Sequence, residues 1–242
     1  MKATFVFFHV GENSDQPQML VNSIRLTNRD ADIIFCSNES TPDIDGISKR
    51  INIEGNLDNL MSYRLKAFSD IKLEKPALYL DTDMLVLKKI SPDEIIGNKK
   101  IIMCKRSFNL NGAFIGNFRG LDFMEYDKQP LGLVYPYVAC ATISKNWEIW
   151  EELGNILSNL NEKFKVWYGD QEALKKMQKT LSVEEFGVIN EFEFGCLPDE
   201  KSYLPRAAIL HFKGARRKPV MKVFHNKMVN YFVKNSENVK KG

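Results

Sequence analysis

The sequence predicts an α/β protein, a central sheet with helices packed against it. Two stretches carry that expectation. Ala77–Leu80 is apolar at every position and runs straight into Asp81, Thr82 and Asp83, with Met84–Leu87 apolar again beyond. A strand apolar throughout, not at alternate positions, is covered on both faces, as in a parallel α/β sheet. Residues 4–54 read as strand, helix, strand, strand, which is an α/β opening. A chain of 242 residues is long enough for one large domain with a small extension.

The elements follow in order. Thr4–Val10 is strand-like until Gly11–Asp15 breaks it. Pro17 suits a helix start, and Leu20 and Ile24 continue at helical spacing toward Arg29. Ile33–Cys36 is a second buried strand, Pro42–Gly46 a loop, and Arg50–Glu54 alternates as a third strand. Asp58 is expected to cap a helix running to about Ile71. In that helix Leu60, Arg64 and Phe68 share one line, which sets Arg64 beside the apolar seam. Lys66 lines up with Ser62 and Asp70 and faces solvent. A core-side arginine needs an anionic partner.

After the Ala77 strand, Pro92–Ile96 reads as a short helix and Lys100–Cys104 as a strand. Ser107–Gly120, rich in Asn, Gly and Phe, reads as a strand or as a long loop over a site. Tyr137–Ile143 is a strand. Ser144 is then expected to cap a helix burying Trp147, Trp150, Leu153, Leu157 and Leu160. Gly169-Asp170-Gln171 opens another helix. Val188–Cys196 and Ala207–Phe212 are expected strands. Val220–Lys241 forms a basic tail with Val220, Phe224, Met228 and Phe232 at every fourth position, a helix packed on the domain or in contact with a membrane surface.

Composition excludes several classes. The net charge of +3 is too small to argue for nucleic acid. No apolar run approaches the roughly 20 residues a membrane helix needs. FVFFHV near the N-terminus is too short for a signal-peptide core and reads as a strand. Cys36, Cys104, Cys140 and Cys196 are scattered with no CxxC pair, which suits a reducing compartment and gives no thiolate metal site. The expected location is cytoplasmic, with peripheral contact at the inner membrane through the tail.

The chemistry gathers at strand ends, where α/β sheets bind ligands. Asp81 and Asp83 offer hard oxygen ligands and His211 an imidazole. That set suits Mn2+ or Mg2+ better than structural zinc. Arg64 and the cluster Arg216-Arg217-Lys218 offer anion binding, so a diphosphate can complete the coordination. His9, at the end of the first strand, stands where a nucleotide base or ribose would lie. Asp170 and Gln171 are left for the reacting centre.

LDTDMLVL, the upstream YRLKAF, the later GDQEAL and the closing HFKGARRKP occur in the order found in glycosyltransferase family 8, which the chain resembles from about Thr4 to Pro219. The resemblance implies a GT-A fold with a mixed central sheet. It implies retaining, Mn2+-dependent transfer of a hexose from a UDP-sugar; the expected acceptor is a glycan or other hydroxyl, and the basic tail would suit a lipid-linked glycan. By the same likeness Asp81, Asp83 and His211 match the metal ligands, Arg64 a basic residue approaching the donor, and Lys218 the lysine on the diphosphate. Gly214 would let the backbone come close to that diphosphate, and Asp170 and Gln171 match the pair near the donor sugar. The expected division is a catalytic domain over 1–219 and a helical tail over 220–242.

Two features depart from the family. The closing motif, usually HxxGxxKPW, carries one extra residue and no Trp, so Arg217 or Lys218 fits the phosphate role. The Asn-x-Gly strand of the family falls near Val138-Ala139-Cys140, which has neither residue. A sugar-nucleotide-binding protein that has lost catalysis is therefore one alternative. A haloacid-dehalogenase-type phosphatase is another, since it also sets Asp-x-Asp after an apolar strand. It would carry the motif near the N-terminus, with Thr or Val where Leu85 stands.

Overall fold

The computed structural model describes residues 2–239, with side chains as far as residue 234. Strand β1 (Thr4–Phe8) leads into helix α1 (Asp15–Thr27), then β2 (Asp32–Ser37) and β3 (Lys49–Asn52). β1 and β2 run parallel, and Phe7 stacks on Phe35 at 4.9 Å. α1 buries Leu20, Val21 and Ile24 on one face of the sheet. Helix α2 (Leu60–Asp70) starts in two steps. A 3-10 turn, Leu57–Asn59, comes first, and Asn56 caps it by accepting from the Asp58 amide. Asp58 is thus the capped residue and not the cap. Its neighbour two positions earlier supplies an equally short acceptor.

β4 (Ala77–Leu80) and β5 (Met84–Val86) are separate strands joined by the Asp81–Asp83 turn. The helix α3 (Pro92–Ile96) and β6 (Ile101–Lys105) follow. Residues 107–120 form a long loop, not a strand until the two-residue hairpin of β7 (Asn117–Phe118) and β8 (Leu121–Asp122). Phe114, Phe123, Tyr126, Tyr135 and Tyr168 hold this region by edge-on ring contacts. A single turn, α4 (Leu131–Val134), leads to β9 (Tyr137–Ser144) and α5 (Glu148–Ser158).

Next come α6 (Glu162–Val166), α7 (Gly169–Gln178), β10 (Phe186–Asn190), α8 (Glu191–Phe194), β11 (Ile209–His211) and α9 (Lys218–Val239). The main sheet has the order β10-β6-β9-β4-β1-β2-β3. β9 is antiparallel to both β4 and β6, and the other pairs are parallel, so the sheet is mixed. β5 leaves it to pair with β11. One core fills the space between the sheet and α2, α5 and α7, and another lies under α1 and α3.

Four local expectations change. Ser144 does not cap α5; it ends β9, and its hydroxyl accepts from the Trp150 indole at 3.0 Å. Trp147 is half-buried, not core, with the Lys72 ammonium 3.2 Å from its ring centre. Residues 188–196 are not one strand. Asn190 caps α8 by accepting from the Glu193 amide, and the alternating Glu-Phe run that follows is helical. In α9 Met228 is buried and Phe224 half-buried, as the expected stripe has them, but Val220 is exposed and Met221 takes the buried place in the first turn. α9 packs against α1. The expected boundary at Pro219 falls in its first turn, and residues 240–242 of the tail lie outside the described residues. No described helix is long and apolar enough to cross a membrane.

Trp150 joins Phe68 and Tyr79 in one buried group, with ring centres 4.8 Å and 4.3 Å away. Trp150→Ala is expected to cost about 3–5 kcal/mol of unfolding free energy by urea denaturation, and Trp147→Ala much less.

Candidate functional site

β4 lies mid-sheet between β1 and β9, so the turn after it opens at a carboxyl edge of the sheet. The Asp81 amide donates to Cys140 O on β9 at 3.0 Å, which fixes the start of the turn. The register of β5 against β11 sets His211 opposite Met84, and the Phe212 amide donates to Asp83 O at 2.8 Å. His211 therefore arrives beside the turn. Its Nε2 lies 3.3 Å from Asp83 Oδ1 and 3.9 Å from Asp81 Oδ2.

These three side chains offer ligand atoms within 4.8 Å of one another. Two carboxylates and one imidazole in that space fit a hard divalent cation. Burial works against the Asp83 carboxylate, but His211 and Lys218 outweigh it and hold its pKa down to about 2. Burial also works against the His211 imidazolium, but the Cys140 sulfur and the Asp83 carboxylate beside the ring raise its pKa well above the ordinary value.

Arg64, on the seam of α2 as its register predicts, meets two carboxylates. Nη2 lies 2.7 Å from Asp81 Oδ1, and Nη1 lies 3.1 Å from Asp170 Oδ2. Nη2 also donates to Ala139 O at 3.2 Å, and the guanidinium lies over the Phe68 ring. The arginine is thus committed to the protein's own acids. Asp170 is buried at the start of α7, where desolvation raises its pKa against the opposing pull of Arg64. Gln171 follows it, and its Oε1 accepts from Arg106 at 3.0 Å.

The basic cluster divides. Lys218 Nζ reaches within 3.8 Å of Asp83 Oδ2. Arg217 turns away to Asp199, with Nε at 2.6 Å, and Arg216 pairs with the same carboxylate. Gly214 adopts φ +83°, and a Cβ there would meet nothing within 4 Å, so backbone conformation and not crowding calls for glycine. His9 has a buried Nε2 with no hydrogen-bond partner. Burial, opposed by a hydrogen bond with the Asn13 backbone and aided by Lys218, lowers its pKa.

The Val138-Ala139-Cys140 segment lies at an irregularity of β9. Met103 pairs with Thr142, but Cys104 pairs with Val138, so residues 139–141 bulge from β6. The bulge aims backbone carbonyls into the site, Ala139 O to Arg64 and Cys140 O to the Asp81 amide. Sequence reasoning also missed Arg106 and Glu191, both buried. The Glu191 carboxylate accepts from the Ser107 and Phe108 amides at 2.7 and 3.0 Å. A charged residue at the end of an apolar strand was the one available signal for Arg106.

Neither protein-family models nor curated protein sequences match the chain. Solved structures do. The apo form of the glycosyltransferase GlyE of Streptococcus pneumoniae superposes with TM-score 0.60 at 14% identity, over 98% of this chain and 64% of that one. The galactosyltransferase LgtC, in complex with donor and acceptor sugar analogs, gives 0.59 at 16% identity, over 93% and 95%. A glycosyltransferase involved in glycosylation of the major capsid of PBCV-1 gives 0.58 at 11%, over 92% and 100%. The protein thus has the GT-A-type fold of these glycosyltransferases, and it spans about 64% of the length of GlyE.

Two outcomes follow from this geometry. A Cβ on Gly169 would overlap the Phe164 carbonyl oxygen and Leu157, so Gly169→Ala should cost about 1–3 kcal/mol in denaturant unfolding by displacing the start of α7. A cation binds the neutral imidazole, so protons compete for His211 while Asp83, with its pKa about 2, stays ionised. Calorimetric Mn2+ affinity should therefore rise from pH 6 upward, with protons released on binding.

Proposed function

We propose that the protein is a metal-dependent glycosyltransferase that moves a hexose from a UDP-sugar to a hydroxyl of a glycan or lipid-linked glycan, with retention at the anomeric carbon. The observation that carries this reading is the convergence of Asp81, Asp83 and His211, with Lys218 adjacent, at a strand end of a GT-A-type sheet. The fold likeness favours it over a phosphatase.

Asp81, Asp83 and His211 would hold Mn2+, or Mg2+ in its place. When bound, such an ion supplies positive charge to the leaving diphosphate. Lys218 adds a second cation on the Asp83 side, where its ammonium can follow charge onto the departing oxygen. Arg64 holds Asp81 and Asp170 at fixed separation, so neither carboxylate must reorganise as the donor arrives. The Asp170 carboxylate, little solvated, stabilises positive charge developing at the anomeric carbon. The acceptor oxygen bonds to that carbon on the face the diphosphate leaves. The carbon–oxygen bond to the diphosphate breaks, and the hydroxyl proton passes to the departing phosphate oxygen, releasing UDP. His9, with its unpartnered ring nitrogen, is assigned to the nucleoside end.

The basic helix α9 suits an acceptor at a membrane surface on the cytoplasmic side. A second reading, a sugar-nucleotide-binding protein without turnover, draws on the Val138-Ala139-Cys140 bulge, which offers carbonyls in place of side-chain donors.

Calorimetric titration with UDP, with and without Mn2+, should show metal-dependent binding, and a panel of UDP-sugars should reveal metal-dependent hydrolysis. Asp83→Ala should abolish both, and full activity in that variant would sink the assignment. Metal-dependent binding without turnover on any donor and acceptor pair would favour the second reading.

A further inference from the structure

Two arginines lie near this centre, Arg64 partly buried and Arg106 buried, and they are partnered differently. Arg64 has two carboxylate partners. Arg106, just past the end of β6 and 6% exposed, has none: among the described residues no carboxylate lies within 4.0 Å of its guanidinium. Its partners are neutral. Nε donates to Tyr135 O at 2.7 Å and Nη2 to Gln171 Oε1 at 3.0 Å. Nη1 donates to no described residue. A buried charge without a counter-charge costs several kcal/mol even after relaxation, and proteins rarely retain one.

The backbone around Arg106 is pinned. Its amide donates to Pro136 O at 2.8 Å, and the next two amides donate to the buried Glu191 carboxylate. The guanidinium is therefore presented on a fixed base. Arginine carries donors alone, so Oε1 of Gln171 must face it and the Gln171 Nε2 must face away. Arg106 and Gln171 together offer a surface of N–H donors, next to Asp170 and so to the line Asp170–Arg64–Asp81. With Nε and one Nη2 hydrogen used, Nη1 and the second Nη2 hydrogen remain, and that end of a planar guanidinium can give a carboxylate two parallel hydrogen bonds.

We propose that Arg106, with Gln171, recognises a carboxylate on the saccharide bound at this centre, so that the enzyme handles an acidic sugar of the uronate type, on the donor or on the acceptor. The inference rests on the glycosyltransferase reading and names its substrate class. Arg106 acts as a specificity determinant, and the same contact turns the Gln171 amide.

The test uses the full chain with Mn2+ and has two arms. The donor arm compares kcat/KM for hydrolysis of UDP-glucuronate and UDP-galacturonate with UDP-glucose and UDP-galactose. The acceptor arm compares transfer to glucuronides with transfer to the matching glucosides. At least about a tenfold preference for the acidic saccharide is expected in one arm. Arg106→Gln should remove that preference while UDP binding, measured by calorimetry, stays as in wild type. Arg106→Lys should keep part of it. If Arg106→Gln does not fold, Arg106→Lys carries the test, and its acidic-to-neutral ratio should fall below that of the wild type. Equal use of acidic and neutral saccharides by the wild type, or a preference that survives Arg106→Gln, overturns the proposal and leaves metal-dependent transfer standing. Absence of Mn2+-dependent UDP binding by the wild type defeats the glycosyltransferase reading itself, and this inference with it.

Discussion

Arg64 stands between two carboxylates from distant parts of the chain, Asp81 after β4 and Asp170 at the start of α7. Each of the three would be costly to bury alone. Together they tolerate partial burial, because the guanidinium fork meets one oxygen of each acid. The contact also ties α2 to the sheet edge and to α7. The Phe68 ring beneath the guanidinium and the Ala139 carbonyl beside it fill the remaining directions. Removing this cation would leave two like charges near each other with no counter-charge between them.

The other half of the site depends on register. β5 leaves the main sheet to pair with β11, and residue 211 falls opposite residue 84. A shift of one residue in that pairing would turn His211 to the opposite face, away from Asp83. The short ribbon is held by its own core, in which Leu85, Leu210 and Phe212 pack against Met221 of α9. The first turn of α9 in turn brings Lys218 to Asp83. One small apolar cluster thus sets the positions of a histidine and a lysine, and the bulge in β9 sets two carbonyls.

Much of this was legible in the chain. The fully apolar run of β4, the acidic turn after it and the helical line through Leu60, Arg64 and Phe68 announced their roles locally. Periodicity and burial cost are properties of neighbouring residues, so the sequence reports them. The run Val188–Cys196 misled because Glu and Phe alternate, as in a half-buried strand. Asn190 caps the helix that Glu191 starts, and the Glu191 carboxylate is buried against the Ser107 and Phe108 amides, far away in sequence. The cap at Asp58 failed by a smaller margin, since Asn56 competes for the same amides.

The sequence alone determined that carboxylates would stand at the end of a buried strand, that an arginine would lie on a core seam, and that a histidine would end a later strand. Each follows from apolar pattern and spacing. The tertiary structure decided which of these meet. It gave Arg64 to Asp81 and Asp170, sent Arg217 to Asp199 and left Lys218 at Asp83. It also buried Arg106 with neutral partners. Pairing of charges is settled by strand register and helix packing across long separations, and no local pattern encodes those distances.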